Sequence, residues 1–261
     1  MAREEKSSKS VILNLFQDLT NLITRKITNP KTKIQIMYRL YHHSLCPFSR
    51  KVRVHMAAKE IGFELVPENF WERRKEFIAM NPAGTLPVLF DNANSVVISN
   101  SSTIVEYIEE KHQETKNFIG DSLVTRAEVR RLQNWFDEKF YNEVSKHVLN
   151  ERHFNRYLPG VNAPDSEILR VTRRNLNIHL SYIEYLLETR KYLGGDHISV
   201  ADFSAAAQIS ILDYFGDINW HHYLPAKDWY SLIKSHKIFG EILKDRIPNV
   251  NPPEWYSKLD F

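Results

Sequence analysis

The chain has 261 residues, a single cysteine and a formal net charge of +3, with 43% apolar and 12% aromatic residues. That composition excludes a disordered chain. One cysteine excludes an internal disulfide and fits a reducing, cytoplasmic compartment, and no apolar run approaches the roughly 20 residues of a membrane helix. Residues 1–36 carry seven Lys/Arg against three acidic residues, a net of +4, which leaves −1 for the rest of the chain and no basic face for nucleic acid.

Taken in chain order, residues 1–36 read as an appended extension. Val11, Ile12, Leu15, Phe16, Leu19, Leu22, Ile23 and Ile27 share one helical face, while Asn14, Gln17, Asp18 and Asn21 interrupt any signal-peptide core. From Met37 the pattern changes. "MYRLYHH" reads as a short aromatic-rich strand. "CPFSRKVRVHMAAKEIG" reads as a helix, with Pro47 in its first turn and Gly62 at its end. Phe63–Phe70 reads as a second strand, and "RRKEFIAMNPAG" as a short, partly helical connection. "LPVLFD" and "VVIS" are two further strands joined by turn residues, and "SSTIVEYIEEKH" is a helix with Ile104, Ile108 and Lys111 on one face. Beyond a charged link, helical periodicity holds over 124–150, 165–190, 200–215 and 228–245. Ser199 and Asp202 have the spacing of a capping box. The fold class is therefore α/β plus all-α: a β-α-β-(α)-β-β-α unit over 37–113, then a helical unit over 122–253.

Cys46 carries the first chemical expectation. At the N-cap of a helix that begins with Pro47, its sulfur faces unpaired backbone N–H groups and the positive end of the helix dipole. Both favour a thiolate, the reactive form. Arg50, Lys51 and Arg53 add positive charge on the same helix, and Ser49 can donate a hydroxyl to the sulfur. "CPFS" is thus a one-cysteine form of Cys-x-x-Cys, able to form a mixed disulfide with a small thiol and pass it on. Other constellations carry less. On a strand, His42 and His43 point to opposite faces, and His221–His222 has no third ligand nearby in sequence, so no metal is expected. Trp135, Tyr141, Tyr157 and Trp220 read as helical packing residues, and "RVTRRNL" (170–176) as a solvated face or a dimer rim.

From Met37 onward, over about 215 residues, the chain resembles the cytosolic glutathione S-transferases. "SLCPFSRKVRV" looks like the active-site segment of the cysteine-type, omega-like classes. "NPAGTLPVL" looks like N-P-x-G-x-x-P-V-L, "SNSSTIVEYI" like E-S-x-A-I-x-x-Y-L, and "GGDHISVADFSAA" like the capping segment of the family's helical domain. The resemblance implies a thioredoxin-like domain first and an all-helical domain second. It implies Cys46 as the catalytic residue, Pro87 as a cis-proline, and Leu86 pairing its backbone with glutathione. Ser101 at a helix start would meet the γ-glutamyl carboxylate, and Arg73 the glycyl carboxylate, with Arg74 as a substitute. One position departs from the pattern: Asn100 stands where the family has an acidic residue for the α-ammonium of glutathione. A neutral hydrogen bond is about half as strong as a charge-assisted one.

The activity so implied is cytoplasmic glutathione-dependent thiol transfer, deglutathionylation or reduction of small electrophiles, a detoxification role. Cys46 would act on a small electrophilic or disulfide substrate, glutathione would be the co-substrate, and the protein would be a homodimer. The alternative, favoured by Asn100, is a non-catalytic member of the same fold that acts through protein partners.

Overall fold

The computed structural model describes residues 37–157, 160 and 163–258; the expected helix at 11–27 lies outside them. The first elements are β1 (Tyr38–His42), α1 (Pro47–Ala58), β2 (Glu64–Pro67), α2 (Lys75–Met80), β3 (Val88–Asp91), β4 (Val96–Ser99) and α3 (Ser101–Lys111). The sheet order is β2-β1-β3-β4. β1 runs parallel to β2 and antiparallel to β3, with Leu40 opposite both Leu65 and Leu89, and β3 runs antiparallel to β4. All four residues of β3 are buried, as befits a central strand covered on both faces. Its last residue, Asp91, turns the chain: Oδ1 accepts the N–H groups of Ala93 (2.9 Å) and Asn94 (3.2 Å). This is the thioredoxin-like fold read from the sequence, with two local differences. The second strand stops at Pro67, whose missing N–H suits the end of an edge strand. Helix α1 ends at Ala58, four residues before Gly62, because Glu60 adopts the left-handed conformation (φ +58°). Its N–H meets Ala57 O at 3.1 Å and that of Ile61 meets Met56 O at 2.9 Å, a Schellman closure.

The helical elements are α4 (Leu123–Asn134), a π-helical stretch (Trp135–Ser145) continuing into α5 (Lys146–Arg152), α6 (Ser166–Leu187), α7 (Val200–Phe215), α8 (Leu224–Ser235) and the short α9 (Gly240–Leu243). Side chains set three of the starts. Ser122 Oγ caps α4 through the Thr125 N–H (3.0 Å), and Asp165 Oδ1 caps α6 through Glu167 (2.8 Å) and Ile168 (3.2 Å). At α7 the Ser199–Asp202 capping box is formed. Every residue of α7 from Val200 to Tyr214 is buried, the mark of a helix enclosed on all sides. The single helix expected over 228–245 is two. α8 starts earlier, with Pro225 in its first turn, and stops where His236 turns extended (ψ 136°). The His236 ring nitrogen then accepts the Ile238 N–H at 3.4 Å and starts a separate turn.

The chain forms two compact units. Among the described residues, the sheet-bearing unit comprises 37–43 together with Gly62–Ile104, and the helical unit comprises Ser44–Ile61 and the residues from Val105 onward. Helix α1 therefore belongs with the helical unit, where Leu45 and Val54 join the main apolar core.

Candidate active site

Cys46 is the N-cap of α1, as its place before Pro47 predicts. Its backbone is extended (φ −80°, ψ 113°), and Sγ accepts the Ser49 N–H at 3.5 Å. The expected thiolate does not follow. The side chain is only 9% exposed, and burial pushes the thiol pKa up; the Ser49 hydroxyl and N–H, the Phe48 N–H and the Arg50 charge pull it down without prevailing. The three cations of α1, expected to favour the thiolate, are held elsewhere. Arg50 donates Nε to Ser44 O (2.7 Å) and Nη1 to Ser210 Oγ (2.8 Å). Lys51 is ion-paired with Asp137. Arg53 donates to both carboxylate oxygens of Asp245, at 2.8 and 3.0 Å. Arg50 and Lys51 still act on the sulfur through their charge, but each of the three cations is held by a fixed partner.

Beside Cys46 the π-helical stretch contributes Asp137, which sequence reasoning did not single out, and Tyr141, which it read as a packing residue. Asp137 meets Lys51, and one turn later the half-buried Tyr141 ring lies 4.6 Å from that of Phe48. Burial and the neighbouring Cys46 push the Tyr141 phenol up to about 12, so it stays protonated and can donate a hydrogen bond. The extra residue per turn of a π-helix, a feature found mostly at functional sites, has no periodic signal in the sequence that would have revealed it.

In the sheet-bearing unit the Leu86–Pro87 peptide is cis. The loop before it is tied by Asn81 Nδ2 to Thr85 O (2.8 Å). Register places Val88 opposite Ser99, so Pro87 and Asn100 lie just beyond the same end of the β3–β4 pair. Asn100 has φ +74°, and its Oδ1 caps α3 by accepting the N–H groups of Ser102 (2.9 Å) and Thr103 (3.4 Å). The amide oxygen is thus engaged within the chain, and Ser101 behind it is buried. Arg73 (φ +48°) brings its guanidinium to within 3.5 Å of where a Cβ on Gly84 would lie. Arg74 is ion-paired with Glu68, which makes it a poor substitute for Arg73. Leu86, Pro87, Asn100, Ser101 and Arg73 thus share one unit. They suit glutathione in part: a buried serine, a cis-proline and an exposed arginine are present, and a charge for the α-ammonium is not. Among the described residues no group of three or more His, Cys, Asp or Glu could hold a metal ion, and no helix is long and apolar enough to cross a membrane.

A four-stranded mixed sheet with a cis-proline beginning an inner strand, followed by an all-helical unit, defines a thioredoxin-like domain joined to a helical domain. The family model for the glutathione S-transferase N-terminal domain matches residues 40–116. FtsZ-localized protein A of Caulobacter vibrioides is 43% identical over 224 residues, 85% of this chain and 97% of that protein. Two solved structures superpose closely. A glutathione S-transferase from Rhodospirillum rubrum F11 is 43% identical, with TM-score 0.82 over 86% of this chain and all of that one. FzlA from C. crescentus is 42% identical, with TM-score 0.83 over 87% of this chain and all of that one. The chain belongs to the cytosolic glutathione S-transferase family.

Proposed function

We propose that this protein works by binding a protein partner, with FtsZ as the first candidate, and not by passing thiols through Cys46. The observation that carries the reading is the setting of Cys46: a buried, neutral thiol on a helix whose three cations are each held by other side chains. The similarity to a relative named for its localisation with FtsZ supports it. So does Asn100, which caps α3 in place of presenting a charge to glutathione.

A second reading is favoured by the cis Leu86–Pro87 peptide and the buried Ser101 at the start of α3. In it, Cys46 attacks the glutathionyl sulfur of a substrate–glutathione mixed disulfide and releases the substrate as a thiolate; a glutathione thiolate then attacks the Cys46–glutathione disulfide, which frees Cys46 and releases glutathione disulfide. Leu86, Pro87, Asn100, Ser101 and Arg73 would hold glutathione, and the enzyme would be a cytoplasmic homodimer acting on small electrophiles or disulfides.

One paired experiment separates the two. Purified FtsZ from the same cell is immobilised and binding is measured by interferometry, while a parallel sample exposed to oxidised glutathione is weighed by intact-mass spectrometry. Saturable FtsZ binding without a glutathione adduct is the expected result. A stoichiometric adduct on Cys46, lost in Cys46→Ala, with no FtsZ binding would overturn the proposal in favour of the enzyme.

A further inference from the structure

After α9 the chain returns across the helical unit as a strap with a tight turn closed between Ile247 and Val250 and one helical turn at Glu254–Ser257. Polar attachments run along its length. At its start, Asp245 receives the bidentate grip of Arg53, and Arg50 Nη2 lies 3.7 Å from the same carboxylate. Further along, the Tyr214 hydroxyl accepts the Ile247 N–H (3.0 Å) and donates to Val250 O (2.7 Å). At the far end, Lys234, ion-paired with Asp213 at 3.0 Å, also donates to Trp255 O at 3.3 Å. The buried Tyr256 hydroxyl reaches Ile242 O at 3.4 Å. Gly216 caps α7 in the left-handed conformation (φ +70°) and stands against Pro253 and Trp255.

These contacts lead to Cys46 in two steps. Arg50 and Arg53 are three residues apart, on neighbouring positions of one face of α1, and both are at least 95% buried. Arg50 also donates Nε to Ser44 O, in the loop that delivers Cys46 to the helix start. The carboxylate of Asp245 is the anion shared by both guanidinium groups. Without it two buried cations lack their counter-charge, a state that favours hydration and movement of the segment that carries them.

We propose that the strap from Asp245 to Tyr256 is a latch that sets the exposure of Cys46. Seated, it holds Arg50 and Arg53, and through them the first turns of α1 and the Ser44–Cys46 loop. Released, it lets that turn open locally and brings the thiol to solvent. The attachment is mixed: Ile247 and Tyr256 pack into the apolar core, while Asp245, Val250 O and Trp255 O are held by discrete polar contacts that can open as a set.

The test uses the full chain and two variants. Asp245→Asn keeps the side-chain shape and removes the charge at the α1 end. Tyr214→Phe removes the hydroxyl that ties Ile247 and Val250 and keeps the ring, over which the Arg50 guanidinium lies at 5.9 Å from the centroid. Labelling of Cys46 by an aromatic disulfide and hydrogen exchange of residues 44–58 are followed under native conditions. We expect labelling to accelerate about tenfold in Asp245→Asn and about threefold in Tyr214→Phe, with faster exchange over 47–54 in both. Unchanged labelling in a folded Tyr214→Phe overturns the latch: any effect of Asp245→Asn would then be local to the ion pair. If Asp245→Asn does not fold, Tyr214→Phe alone decides.

Discussion

Lys51 on α1 and Asp137 on the π-helical stretch form an ion pair whose side chains are 1% and 10% exposed. Burial pushes the Lys51 pKa down, and the Asp137 carboxylate opposes this. A pair so enclosed contributes little net stability against apolar residues of similar volume, yet it is costly to break. Lys51→Met and Asp137→Leu singly should each cost about 3 kcal/mol, because each leaves one buried charge behind. The double variant should recover most of that loss. Urea unfolding of the four proteins checks it, and additive losses in the double variant would show that the two residues are not coupled.

The thiol of Cys46 gives a direct chemical readout. Burial lifts its pKa above the ordinary 9.0, and only the thiolate alkylates. The rate of carbamidomethylation should therefore rise with pH through a midpoint above 9.0. Ser49→Ala, which removes a hydroxyl favouring the thiolate, should move the midpoint higher still. A midpoint in the range of about 3.5–7.5, typical of activated cysteines, would restore the thiolate that the sequence alone suggests.

Much of this was legible in the residues, and what was not has a physical reason. The order of strands and helices follows from short apolar runs broken by Gly, Pro and Asn. The N-cap position of Cys46 follows from Pro47, and the Ser199–Asp202 box from its spacing. The fate of the cations does not. Arg50, Lys51 and Arg53 are three ordinary basic residues in sequence, and their partners Ser210, Asp137 and Asp245 lie 160, 86 and 192 residues away. Local reasoning saw the charges but not the carboxylates and hydroxyl that hold them, so it overvalued the thiolate. Glu60 could close α1 as glycine would because Ile61 reaches back to Met56, a contact set by the backbone and not by residue type.

Asn100 offers a substitution that separates capping from binding. Its Oδ1 caps α3, and a carboxylate caps equally well. Asp also tolerates the positive φ at this site. Beside the helix N-terminus the added negative charge should raise stability by about 0.5 kcal/mol. Asn100→Ala should lose about 1 kcal/mol or more, since the cap is gone and a left-handed backbone remains. By calorimetry, wild type should show no glutathione binding, and Asn100→Asp should acquire weak binding through a charge-assisted bond to the α-ammonium. Equal binding by both proteins would mean that this position does not set glutathione affinity.

Glu128 should govern part of the acid sensitivity of the helical unit. Its carboxylate accepts Arg131 Nε (2.7 Å) and Nη2 (2.9 Å) from the same helix, α4. It also accepts Nη1 of Arg190 (2.7 Å), which lies beyond α6 and donates to Leu193 O as well. The bond from Arg131 first, and then that from Arg190, hold the Glu128 pKa down from 4.5 to about 2, against burial. A carboxyl whose folded pKa lies below its unfolded one stabilises the fold above the unfolded value, and that stabilisation is lost as pH falls toward the folded value. The window here is from about 4.5 down to about 2. Because the arginines are partly exposed, solvent screening reduces the effect to about 1 kcal/mol. Glu128→Gln should therefore be about 1 kcal/mol less stable than wild type at neutral pH, and the difference should shrink steadily through the acid window. Urea midpoints measured at a series of pH values test this. A gap that persists unchanged to the bottom of the window would assign the loss to packing of the side chain and not to its charge.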